Sequence, residues 1–216
     1  MLREVIANES YTLLFVLCIA LLALAKFWYN TRFNDFLSVL VNWKYLKIYA
    51  RDQKFVDQFD GLLYGNFIIS ATIFSLISYG VLIEPMAFDW YLFVKILIGI
   101  GAVIIIKVLL ERLVGSLFDI DELIDQYLFQ KSNYKNYLGL ILLPMNIVFI
   151  YTLSPSKTII YIAIAALFVV NLTGIASTFK NYQGIILGNL FYFILYLCAL
   201  EFGPYIVLYK LLRMNQ

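Results

Sequence analysis

Histidine is absent from the 216 residues, and the chain holds only two cysteines, four prolines and 14% charged residues. Without histidine there is no imidazole for acid–base chemistry. Without clustered cysteine there is no donor set for zinc, haem or an iron–sulfur centre, so no metal and no cofactor are expected. Cys18 and Cys198 both sit inside apolar runs, where a small buried side chain is expected rather than a disulfide between loops. The formal charge of +2 is small and the basic residues are not pooled, which argues against nucleic acid as a partner. No Gly-x-x-x-x-Gly-Lys-Ser/Thr phosphate loop and no Gly-x-Ser-x-Gly nucleophile elbow occurs.

Hydrophobic side chains are abundant instead, at 63% of the residues with a mean hydropathy of +0.86. A soluble domain has roughly 45–50% apolar residues. The excess must face lipid, so the expected fold is all-α: a polytopic transmembrane helical bundle forming one membrane domain over residues 1–216. A crossing helix needs about 20 mostly apolar residues for a core of about 30 Å. About six stretches qualify: Tyr11 to Tyr29, Gly61 to Ile83, Trp90 to Leu110, Tyr137 to Leu153, Ile159 to Phe179, and Gly184 to about Leu200. The first is expected to be retained, because Glu4 and Glu9 precede it and Lys26-Phe27-Trp28-Tyr29 ends it where a cleavage site needs small residues. Glu84-Pro85 stops the second stretch, and Ser154-Pro155-Ser156 separates the fourth from the fifth, with either serine suited to cap the fifth helix.

Two further segments are amphipathic. From Phe33 to about Tyr49, Phe36, Leu40, Trp43 and Leu46 share a stripe, as in a helix lying at the membrane interface. From Asp119 to Lys131, Ile120, Leu123, Ile124, Tyr127 and Leu128 oppose Asp121, Glu122, Asp125 and Gln126. This acidic group lacks the glycine and the terminal glutamate of an EF-hand, so a solvated helix face is expected rather than a calcium site.

Lys and Arg divide ten against four between the two sides, which places the ten-residue side in the cytoplasm. Six crossings then put both termini outside. Lys210 and Arg213 oppose that, and five crossings with one re-entrant stretch would place the C-terminus inside.

Several groups inside or beside these stretches are candidates for function. Glu201 precedes Phe202-Gly203-Pro204, where Pro204 leaves the carbonyl of Leu200 unpaired; the carboxyl either pairs structurally or carries a proton or cation. Lys95 is placed to snorkel, and Lys107 and Glu111, four residues apart, are placed to pair. Asp60 fits the positive end of a helix dipole. Asn66, Asn146, Asn171 and Asn189 need partners at membrane depth, either one another's helices or a polar pathway. Pro144 predicts a kink in the fourth crossing. Gly61-x-x-x-Gly65, Gly184-x-x-x-Gly188, and Gly99, Gly101 and Ala102 are small-residue faces for helix packing, within the bundle or against a partner.

Tyr192-Phe193-Ile194-Leu195-Tyr196-Leu197-Cys198-Ala199-Leu200-Glu201, then Gly203-Pro204 and Leu208-Tyr209-Lys210, resemble an uncharacterised family of integral membrane proteins from Bacteroidota. Phe59-Asp60-Gly61-Leu62-Leu63-Tyr64 and Leu110-Glu111-Arg112-Leu113 are similar to it as well. The resemblance implies a bacterial inner-membrane location and draws attention to Glu201 and Lys210, and it brings no assigned activity. Three functions follow as expectations. The first is a non-enzymatic subunit or scaffold whose partners are lipid and other membrane subunits, or a second copy. The second is a small transporter or proton-coupled channel using Glu201. The third is an enzyme on a lipid-linked substrate, for which no residue spacing is diagnostic.

Overall fold

A computed structural model describes residues 9–37, 57–85, 88–117, 121–153 and 155–181. These residues form helices and, among them, no strand. The elements are α1 (Glu9–Trp28), α2 (Asn30–Leu37), α3 (Gln58–Leu82), α4 (Trp90–Leu117), α5 (Asp121–Tyr151) and α6 (Lys157–Asn181). Three of them, α1, α3 and α4, are long and apolar enough to cross a membrane, and they correspond to the first three expected stretches. The sixth stretch, with Gly184, Gly188, Asn189, Glu201, Pro204 and Lys210, lies outside the described residues, as does the interfacial segment after Leu37.

Local chemistry sets the helix ends. Asp57 caps α3, its carboxylate accepting from the amide of Gln58 at 2.8 Å, and α3 stops at Leu82, before Pro85 can be reached. Asp89 starts α4 by accepting from the amides of Tyr91 and Leu92. Ser156 does the same for α6 through the amide of Ile159.

α3 is the centre of the bundle and packs most extensively on α5 and α1. α1 runs antiparallel to α3, since Cys18 meets Ser70 while Tyr29 meets Gln58. α4 runs antiparallel to α5, since Glu111 meets Lys131 and Gly115 packs on Ile124. α3 and α5 run parallel, with Tyr64 on Ser132, Phe67 on Gly139 and Ser70 on Asn146 in that order. The ends of α1 and α4 and the starts of α3 and α5 therefore gather at one end of the bundle.

The sequence separates an acidic amphipathic segment from the fourth apolar stretch, whereas the structure joins both in α5, a 31-residue helix with Pro144 inside it. No glycine or proline interrupts Gln130 to Tyr137, and polar side chains there find buried places between helices, so the helix continues. The acidic face remains outward at Asp121 and Asp125, while Ile124, Tyr127 and Leu128 are buried.

Apolar clusters stabilise the bundle, among them one of Phe149, Ile160 and Ala163 between α5 and α6. Phe33 and Phe36 of α2 fold under the gathered end and pack with Ala25, Phe59, Leu63 and Tyr134. The opposite half is held by Leu14, Phe15, Ile73, Leu76, Phe93 and Leu143. α4 stands apart, with Ile98, Val103, Ile105, Ile106, Leu109 and Leu113 all exposed.

Candidate functional site

The charged side chains concentrate at the gathered end. Arg32 is fixed by the first turn of α2. Its guanidinium donates to the carboxylates of Asp57 and Asp60, at 3.0 Å for Asp60, and stacks 4.5 Å from the Phe59 ring centroid. Asp60 and Arg32 are both buried. Asp60, expected to serve the helix dipole, is thus also held by a cation from the preceding element. Sequence reading treated Arg32 only as a marker of sidedness, because a contact 28 residues away carries no local spacing.

A second pair lies between α4 and α5. Lys131 Nζ donates to Glu111 Oε1 at 2.6 Å, with the Glu111 side chain 0% exposed and that of Lys131 14% exposed. The ammonium also lies 5.1 Å from the centroid of the Tyr127 ring. Sequence spacing offered Lys107 to Glu111, and the structure adds a partner from a different helix. Glu111 Oε2 is buried without a hydrogen-bond partner. Arg112 takes the carboxylate of Asp125 at 3.1 and 3.4 Å. Both side chains of that pair are more than 40% exposed, so solvent screening leaves it a small share of stability.

Tyr64 links the two buried pairs. Its hydroxyl is 3.1 Å from the hydroxyl of Ser132, and it lies within electrostatic reach of Asp60, Lys131 and Glu111. Polar and charged side chains therefore gather at this end from α2, α3, α5 and α4. Such a set can hold charge in a dry interior, where a lone ion would be costly and a paired one is tolerated.

Deeper in the bundle lie amides. Asn146 donates to the carbonyl of Ser70 at 2.8 Å, the interhelical bond expected of a buried asparagine. Asn66 is also fully buried, yet neither of its polar atoms has a partner. Asn171 is exposed. Gln130, Asn133 and Asn136 are buried as well and were not singled out from sequence, because a polar run ahead of an apolar stretch reads as solvated. Lys95 is exposed near the start of α4, as a snorkelling lysine would be.

The small-residue faces separate. Gly65 has Leu21 of α1 at 3.5 Å from a built Cβ, while Gly61, Gly99 and Gly101 have nothing within 4 Å among the described residues. The tightest of the described glycines is Gly139, where an added Cβ would lie 2.7 Å from the Phe67 Cα. Its signal was present in the sequence as a lone glycine in an apolar run, without a second glycine to mark it.

Fold and site together define a class: an all-helical protein with helices long and apolar enough to cross a membrane, ion-paired at one end of the bundle. Within that class, the chain belongs to a family described as a domain of unknown function (DUF4271), whose model matches residues 11–212. No curated protein and no solved structure matches it.

Proposed function

We propose that this chain is a multi-pass protein of a bacterial inner (cytoplasmic) membrane, of the kind found in Bacteroidota, and that it works as a non-enzymatic subunit or scaffold of a membrane assembly. The observation that carries the reading is the bare length of α4. Beyond the exposed Lys95, its outward side chains Ile98, Val103, Ile105, Ile106, Leu109 and Leu113 are apolar, and among the described residues nothing lies within 4 Å of a Cβ built at the exposed Gly99. Helices in lipid associate by close backbone approach at such small residues. The ten-residue basic side faces the cytoplasm in this reading, which is the end where the ion pairs gather.

Purification in mild detergent tests it. The expected result is a stoichiometric membrane partner or a defined self-assembly. Gly99→Leu should then cut co-elution at least tenfold, while the isolated chain keeps its fold, because Gly99 is exposed and nothing among the described residues lies within 4 Å of a Cβ there. Elution as a lone chain, with no partner and no second copy, removes the reading.

A small transporter or proton-coupled channel is the second reading, favoured by the unpaired amide of Asn66 and the unpaired carboxylate oxygen of Glu111 in the interior. Glu201 lies outside the described residues and remains its proposed ion carrier. Glu201→Gln is expected to abolish ion-coupled flux in proteoliposomes, and unchanged flux takes Glu201 out of the mechanism.

A further inference from the structure

The interior holds polar groups that helix packing does not use. Asn66 on α3 and Asn136 on α5 are both 0% exposed, and neither the nitrogen nor the oxygen of either amide has a hydrogen-bond partner. The amide oxygen of Asn146 is also unpaired. On α5, Ser132, Asn136, Gly139 and Asn146 recur at steps of four, three and seven, which keeps them on one helical stripe. On α3, Asn66 and Ser70 are four apart. Gly139 touches Phe67, the neighbour of Asn66, and Asn146 bonds the Ser70 carbonyl, so the two stripes face each other. α1 borders the same seam, with Cys18 Sγ 3.9 Å from Ser70 Oγ and the small, buried Ala25 two turns along.

The seam has polar contacts beside the Phe33–Phe36 core at one end and an apolar stop at the other. It begins at the Arg32–Asp60 and Tyr64–Ser132 contacts. Beyond Cys18 it meets Leu14, Phe15, Ile73, Leu76 and Leu143. Asp60 to Ser70 spans about 15 Å of helix, roughly half of a hydrocarbon core of about 30 Å.

We propose that the seam between α1, α3 and α5 is a half-path that admits water and other small uncharged hydrogen-bonding solutes from the Arg32–Asp60 end as far as Cys18. Amides offer donors and acceptors without net charge, so a neutral solute satisfies them. A bare ion would meet no opposite charge among the described residues between Asp60 and Cys18. An amide buried without a partner keeps its full desolvation cost, and a hydrogen-bonding solute removes it. The inference rests on the interior and not on the outer face of α4, so it fails or stands separately from the subunit reading.

The test uses the full chain with Cys198→Ser, which leaves Cys18 as the only thiol. Hydroxyethyl methanethiosulfonate, neutral and hydrophilic, is compared with its trimethylammonium-ethyl counterpart in proteoliposomes, with modification read by intact mass. The neutral reagent is expected to modify Cys18 of the folded protein at least tenfold faster than the charged one. It should act from the Arg32–Asp60 side. Asn66→Leu and Asn136→Leu should each slow it at least tenfold. Should those variants lose their helicity, Ala25→Val narrows the same seam from α1 and takes their place. A Cys18 that reacts only after denaturation in SDS overturns the proposal. So do equal rates with both reagents, or a rate that the seam variants leave unchanged.

Discussion

Methionine in place of Lys131 is expected to destabilise the bundle by about 3–5 kcal/mol, the range for breaking a buried ion pair by removing one partner. The Glu111 side chain is 0% exposed, and one of its oxygens already lacks a hydrogen bond. Taking away the ammonium leaves a carboxylate with its main partner gone in a place that water does not reach. The size of the loss comes from the stranded charge more than from the attraction lost. Replacing both residues, Lys131→Met with Glu111→Leu, is therefore expected to recover most of the stability, because no unpaired charge is then left buried between α4 and α5. SDS-induced unfolding followed by circular dichroism checks this. A single variant as stable as the parent, or a double variant no better than the single one, contradicts the pairing.

The second large effect is expected at Gly139. A Cβ there would sit 2.7 Å from the Phe67 Cα and 2.9 Å from its Cβ, and real Cβ atoms do not approach backbone so closely. α3 and α5 must separate, and the contact between them is the most extensive in the bundle. Gly139→Ala is expected to cost about 1–3 kcal/mol, the usual penalty of overpacking a tight helix contact. Gly139→Leu should prevent stable assembly of the pair. Gly80→Ala is the control. Nothing lies within 4 Å of a Cβ at Gly80, so this change should be neutral, or stabilise by up to about 1 kcal/mol through helix propensity. Thermal unfolding in one detergent compares the three.

The class of fold was legible because lipid imposes a crude rule: long apolar runs, broken by Pro85 and by Ser156, mark helices and their ends. α1, α3 and α4 follow it. Which charge meets which was not legible. Arg32 with Asp60, and Glu111 with Lys131, come from different helices, and the sequence offered only the local Lys107–Glu111 spacing. The continuity of α5 was missed for a related reason. Gln130, Asn133 and Asn136 read as solvated, yet neighbouring helices bury them. Gly139 was visible as a residue but not as a crossing point, since a crossing is a property of two helices. Of the glycines that the sequence marks, Gly65 packs on Leu21, while Gly61, Gly99 and Gly101 face open space among the described residues.

The 31 residues of α5 have a mechanical consequence. A helix of that length extends about 46 Å, against a hydrocarbon thickness of about 30 Å. Its apolar half begins after Asn136, so in the membrane reading proposed above the surplus lies at the Asp121 end, as a mast beside the end of α4. The Glu111–Lys131 and Arg112–Asp125 links tie that mast sideways to α4. A thicker bilayer would submerge those links and a thinner one would bare them. In that reading, the vertical seating of the protein follows the thickness of the membrane around it.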